Sequence, residues 1–190
     1  MNQSRHSLAL VSLFAALLAV FGLIPKIDLP LGVPITSQTL GVMLAGAILG
    51  PKRGLQAVLL FLMAVALGLP LLSGGRGGFG VFFAPSAGYL LGWPLGAWIT
   101  GWLMARLRTN SPSGAATSAF VASALGGLIA VHVCGVIGLV FLAKLTWAQA
   151  TMGTLVFVPG DLIKCVLCAL VVHTVARGLP DWRFGGRALQ

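Results

Sequence analysis

Acidic side chains are nearly missing from this chain: three in 190 residues, Asp28, Asp161 and Asp181, with no glutamate. Charged residues of both signs make up 8% of it, where a soluble globular protein carries roughly 25%. So few charges could not coat a soluble core, and a water-soluble domain is excluded on that ground. Cysteine is also scarce: Cys134, Cys165 and Cys168 all fall in apolar stretches. The Cys165-x-x-Cys168 spacing lacks the strand-to-helix turn of a redox motif and the further Cys or His ligands of a metal site. These cysteines read as small apolar fillers of helix contacts, and no metal or cofactor is expected. No G-x-x-x-x-G-K-[ST] loop occurs, so the chain does not hydrolyse ATP by a P-loop. No G-x-S-x-G occurs either, and the three histidines, His6, His132 and His173, pair with no evident nucleophile. "VPGD" lacks the first glycine of the intramembrane aspartyl protease motif, and the other two acids lie in a loop and a tail. No enzyme is read here.

What is abundant is apolar residues, at 58%. A membrane-spanning helix needs ~20 of them in a run, at a rise of ~1.5 Å per residue across ~30 Å of hydrocarbon. Six such stretches are expected, near 8–25, 35–50 (a short one), 55–72, 85–107, 117–143 and 150–176. The predicted fold class is therefore all-α, an integral membrane bundle of six transmembrane helices in a single transmembrane domain, residues 1–190. Arg5 and His6 precede the first apolar run as in a signal peptide, but "GLIPKIDLP" follows with no small-x-small cleavage site, so the run reads as the first span.

The basic residues orient the bundle. Assigning termini and loops alternately to two sides puts Arg5, Lys52, Arg53, Arg106, Arg108, Arg177, Arg183 and Arg187 on one side and Lys26, Arg76 and Lys144 on the other. Lysine and arginine collect on the cytoplasmic side, so both termini are expected there, which an even number of spans satisfies. The same bias accounts for the net charge of +9, and without a basic face interleaved with aromatics no nucleic acid partner is expected.

Two Gly- and Pro-rich segments, 24–41 and 69–89, carry aliphatic and aromatic residues in place of a linker's polar ones. They are expected to fold over the outer mouth of the bundle. Gly88, Gly92 and Gly96, and Gly46 and Gly50, recur every four positions, a spacing that lets helices approach closely within the bundle. Ala15 and Ala19 have the same spacing and suit either internal packing or docking of another membrane protein.

Asp161 and Lys164, in "VPGDLIK", carry the chemistry. Three residues apart on a helix, they share a face. A charge at membrane depth costs roughly 2.5–3.5 kcal/mol on insertion scales, so it turns inward toward a partner or a task. Pro159 and Gly160 just before the Asp are expected to loosen the helix there. A carboxylate only accepts hydrogen bonds and an ammonium only donates. Together they suit a small group with adjacent N–H donors and a carbonyl oxygen, such as a urea or cyclic amide. Arg76, in "SGGRGGFG", could take an anionic group at the ligand's other end. Thr36, Ser37 and Gln38, in "PITSQTLG", and Tyr89, in "PSAGY", offer polar groups, and Phe79, Phe82, Phe83, Trp93 and Trp98 offer apolar walls. Trp147 and Trp182 read as interfacial belt residues. His132, within the fifth span, is the histidine to watch for a ligand role.

Three motifs in order, "VPITSQTLG" from Val33, "FFAPSAGYLLGWPLGAW" from Phe82 and "VPGDLIK" from Val158, resemble the BioY family. These are the biotin-specific S components of energy-coupling-factor (ECF) transporters. The resemblance covers nearly the whole chain. It implies a six-helix bundle in the bacterial inner membrane that binds biotin from outside. It also implies partnership with a transmembrane coupling protein and two ATP-binding-cassette (ABC) ATPases that power uptake. Asp161 and Lys164 match the positions that contact the ureido ring of biotin, and Tyr89 and the loop around Arg76 match parts that close over it. Ala15 and Ala19 resemble the small-residue pattern by which S components dock on the coupling protein. The alternatives are an S component for another vitamin and an ion-coupled small-molecule transporter.

Overall fold

Val11, Phe14 and Leu18 follow one another at helical spacings of three and four and are all buried. That stripe ties the first helix, α1 (Asn2–Gly22), to the rest of the chain, while Leu8, Leu13 and Val20 on its other faces stay exposed. The computed structural model describes residues 2–28, 32–107 and 109–186. Further helices in the described residues are α2 (Gln38–Leu49), α3 (Pro51–Ala66), α4 (Ala87–Met104), α5 (Pro112–Leu142), α6 (Trp147–Leu155) and α7 (Val158–Gly178). Among these residues the extended pairings are two isolated bridges, Ile27 with Ile35 and Leu72 with Arg76. The all-helical expectation therefore holds.

α2 is the axis of the bundle. It is apolar all round, every residue but Thr39 and Leu40 is buried, and α1, α3, α4 and α7 pack about it. It turns into α3 through Gly50, whose φ of 84° favours glycine, and Pro51 opens α3 where its missing N–H costs nothing. The spaced glycines do serve internal packing. A Cβ on Gly88 of α4 would stand 2.7 Å from the Cα of Gly138 on α5, and one on Gly46 of α2 would stand 2.4 Å from the Ala97 carbonyl oxygen on α4.

α5 starts on an N-cap, where the Ser111 hydroxyl accepts from the Gly114 N–H at 3.1 Å. It is interrupted by a π-helical segment, Ala124–Ala130, just before His132. By length and composition, α5 and α7 are each able to cross a membrane, and Ser7–Gly22 and Gln38–Leu49 are shorter apolar helices.

Two expectations change. The apolar run 150–176 is two helices, not one: α6, opened by a capping box between Thr146 and Gln149, ends at Leu155, and α7 starts at Val158. Pro159 accordingly lies in the first turn of α7, where it initiates a helix instead of loosening one. Trp182 is half-buried and donates from Nε1 to the Ile48 carbonyl at 3.3 Å, so it caps the C-terminal end of α2.

The α2–α3 turn, the end of α4 and the segment around Phe184 meet at one end of the bundle, since Cβ atoms on Gly101 and Gly185 would touch Gly50 and Ala105. Lys52, Arg53 and Arg106 lie in the elements that meet there. Lys26 lies against Gly74 in the other group of loops, paired with Asp28. Arg108, Arg187 and the side chain of Arg5 lie outside the described residues.

Candidate functional site

The long loops fold onto the bundle and frame a cleft. Val33, Leu72 and Val81 are buried in the core. Leu72 and Arg76 exchange two backbone hydrogen bonds, at 3.0 and 3.2 Å, around a turn whose Gly74 and Gly75 have φ of 81° and 69°. That turn delivers Arg76 to the cleft wall, where its guanidinium reaches the Ser86 hydroxyl at 3.5 Å. The cleft holds about 530 Å³ of open space, continuous in part with the exterior, and its lining includes Arg76, Tyr89, Trp93, His132, Asp161 and Lys164.

The charged couple sits in this lining. Asp161 occupies the first turn of α7, where the N-terminal end of a helix favours negative charge. Lys164, one turn on, places Nζ 2.6 Å from Asp161 Oδ1 and 2.8 Å from Thr39 Oγ1 on α2. Thr39 in turn donates to Asp161 Oδ1 at 3.4 Å. The other carboxylate oxygen, Oδ2, is 2.9 Å from His132 Nε2 on α5. Three helices thus converge on a carboxylate whose side chain is only 6% exposed. Tyr89 shares a 2.7 Å hydrogen bond with Thr154 of α6, and its ring stands edge-on to His132. Phe157, in the break between α6 and α7, closes the cluster with its ring 5.7 Å from Tyr89.

Among the described residues, two buried side-chain nitrogens in the lining have no hydrogen-bond acceptor: Arg76 Nε and Trp93 Nε1. A buried donor left unmade costs ~1–3 kcal/mol, so each is a natural place for a ligand acceptor.

The remaining candidates divide. Gln38 lines the cleft, but its amide is spent inside the protein: Nε2 donates to the Leu18 and Leu71 carbonyls at 3.1 and 3.0 Å, and Oε1 accepts from the Ser73 N–H and hydroxyl. It is a latch between α1, α2 and the 69–86 loop. Ser37 is outside the lining, where Thr36, Gln38 and Thr39 are found instead; it is the half-buried residue before α2. Phe79 and Phe83 are 66% and 67% exposed and Trp98 is 39% exposed, so they build no wall. Trp93, Leu90, Val131 and Phe157 do. Ala15 and Ala19 are half-buried against the core at the edge of the exposed face of α1.

Thr39, Ser86, Thr154 and Phe157 escaped the sequence reading. Thr39 stands one residue beyond Gln38 in a motif already singled out, and that position, with its hydroxyl at the start of an apolar run, was its one signal. Ser86, Thr154 and Phe157 join the site only through tertiary packing.

The match to known proteins extends well beyond these motifs. The model of the BioY family matches residues 1–181. A protein of Rhizobium etli named biotin transporter BioY is 46% identical over 180 residues, 93% of this chain and 96% of that one. One of the same name from Rhodobacter capsulatus is 46% identical over 186 residues, with the same coverage. The crystal structure of an S component for biotin from an ECF-type ABC transporter superposes with a TM-score of 0.85 at 33% identity, covering 93% of each chain. Family model, relatives and solved fold agree over almost the full length, and this chain belongs to the BioY family.

Proposed function

We propose that this chain is the biotin-binding membrane component of an ECF-type vitamin uptake transporter. The observation that carries the reading is the cleft itself, with Asp161 and Lys164 together in its wall and Arg76 on the loop that frames it. The couple offers an acceptor beside a donor, the complement of a ureido N–H beside its carbonyl. The Arg76 guanidinium suits the carboxylate of the valeryl chain. Trp93 Nε1 offers a further donor. Trp93, Leu90, Val131 and Phe157 supply an apolar wall for the thiophane ring and alkyl chain. Tyr89 and Gln38 frame the site.

In this reading the chain is a single membrane domain crossing the bacterial inner membrane six times, with α6 and α7 together forming the last crossing. Both termini face the cytoplasm, which agrees with the gathering of Lys52, Arg53 and Arg106 at one end. The chain is a transport subunit and no enzyme; with no P-loop of its own, it leaves ATP hydrolysis to separate ABC ATPases. The half-buried Ala15 and Ala19 edge of α1 is the docking face for the coupling protein, since small side chains allow close helix approach.

Retention of radiolabelled biotin by the purified chain, with thiamine and riboflavin as competitors, tests the reading. Biotin retained and displaced only by unlabelled biotin is expected; no retained biotin, or displacement by another vitamin, overturns it. Co-purification from native membranes tests the partners.

A further inference from the structure

We propose that His132 is a positioning residue for recognition of the ligand's ring: its Nε2–H fixes the Asp161 carboxylate and takes up part of its accepting capacity, so that the couple shows the cleft one acceptor beside one donor. The inference deepens the biotin reading and rests on it.

The hydrogen-bonding capacity of the couple is nearly used up within the protein. An ionised carboxylate offers about four lone-pair sites and an ammonium three donors. At Asp161, Oδ1 accepts from Lys164 at 2.6 Å and Thr39 at 3.4 Å, and Oδ2 accepts from His132 Nε2 at 2.9 Å. At Lys164, two donors are engaged, toward Asp161 and Thr39. What remains is a single acceptor site on Oδ2 and a single donor on Nζ. A ring urea, with N–H beside C=O, matches that edge. A ring guanidinium, whose edge is all donors, does not.

His132 is built to hold this position. It is 8% exposed, with the Tyr89 ring 6.0 Å away at 82° and the Phe157 ring 6.2 Å away. The Tyr89 ring lies over Gly135, one turn along α5, where any Cβ would approach within 2.3 Å of it. The π-helical segment Ala124–Ala130 ends just before His132. A π turn adds a residue and so rotates everything after it about the helix axis, a device common at functional sites. Without the imidazole, Oδ2 would regain an accepting site and the carboxylate could rotate about its last torsion. The ring urea would lose a preset partner, and a donor-only edge would gain one.

The test compares biotin with its cyclic guanidine analogue, 2-iminobiotin, on wild type, H132Q and H132F. Glutamine places an amide N–H near the position of Nε2; phenylalanine keeps a ring without it. For H132F, about a tenfold loss of biotin affinity is expected, together with a fall in the preference for biotin over 2-iminobiotin. H132Q is expected to hold both within about threefold of wild type. Unchanged biotin binding by H132F, an equal loss of both ligands, or a loss in H132Q as large as in H132F overturns the inference. Should H132F fail to fold, H132N replaces it, because its shorter amide cannot reach Asp161: N and Q behaving alike overturns the inference, and N alone losing selectivity supports it. A wild type that retains no biotin sinks the biotin reading and this inference together. A wild type that binds, beside variants that behave like it, sinks the inference alone.

Discussion

Lys164 Nζ stands 2.6 Å from Asp161 Oδ1, one helical turn away on α7, and the two side chains are only 13% and 6% exposed. Breaking one member of such a buried pair strands a charge, whereas removing both does not. Binding and stability should therefore separate in variants. D161N is expected to lose at least about tenfold in biotin affinity, ~1.4 kcal/mol, and to melt lower than wild type in detergent. A D161L/K164M double variant is expected to recover melting temperature relative to either single change while retaining no biotin. Unaltered biotin retention in D161N would remove the couple from the site.

At the cleft wall, the buried Nε of Arg76 has no acceptor among the described residues. If it serves the ligand's carboxylate, the loss on mutation must depend on that carboxylate. R76M is expected to weaken biotin by about tenfold or more, the scale of a charge-assisted hydrogen bond, and to leave biotin methyl ester almost unaffected. A competition assay with both ligands reads this directly. An equal loss for acid and ester assigns Arg76 to the loop's own structure.

Among the described residues, Trp93 Nε1 is the second buried donor without an acceptor. W93F keeps most of the apolar ring surface and deletes the N–H. A few-fold to about tenfold loss of biotin is expected, matching a neutral hydrogen bond of ~0.5–1.5 kcal/mol. Isothermal titration in detergent measures it, and an unchanged affinity returns Trp93 to the role of wall alone.

How far these parts were legible follows from how local each signal is. Asp161 and Lys164 lie three residues apart, so helical geometry alone puts them on one face. The glycine spacing of α4 is equally local, and close packing within the bundle was readable, whereas its partner α5 was not. Gln38 was not. A polar residue in a Gly- and Pro-flanked motif looks the same whether it meets a ligand or three segments of its own chain, and only tertiary contacts with Leu18, Leu71 and Ser73 decide. The break at 156–157 was missed because apolar composition runs through it without change. Its signals were positional: Thr146 with Gln149 as a capping box, and Pro159 as a first-turn residue. The His132–Asp161 contact joins residues 29 positions apart, across a π turn that hydropathy does not register.

The Gln38 latch makes its own prediction. Q38L is similar in size but leaves the Leu71 carbonyl and the Ser73 N–H without these partners and removes the extra donor to the Leu18 carbonyl, which lies within α1. Each such group costs ~1–3 kcal/mol, so a clear fall in the detergent melting temperature is expected. Biotin affinity measured well below that temperature should fall much less, since the amide has no free donor or acceptor for the ligand. A large affinity loss with an unchanged melting temperature would move Gln38 from the frame into the site.

A close helix contact gives the last test, because it carries the site's geometry from a distance. A Cβ on Gly88 would stand 2.4 Å from the Cys134 carbonyl oxygen and 2.7 Å from Gly138 Cα, so even alanine must push α4 and α5 apart. Tyr89 follows Gly88 on α4, and His132 rides on α5 one turn from Gly135, over which the Tyr89 ring lies. Separating the helices there shifts both side chains relative to Asp161 on α7. G88A should therefore lower stability by ~1–3 kcal/mol, the usual scale of overpacking. It should also weaken biotin by more than the lost folded fraction explains, since an offset of about 1 Å is enough to spoil a preset contact. Melting curves and biotin titrations on the same preparation separate the two effects. If affinity per folded molecule is unchanged, the α4–α5 spacing supports the fold without setting the cleft.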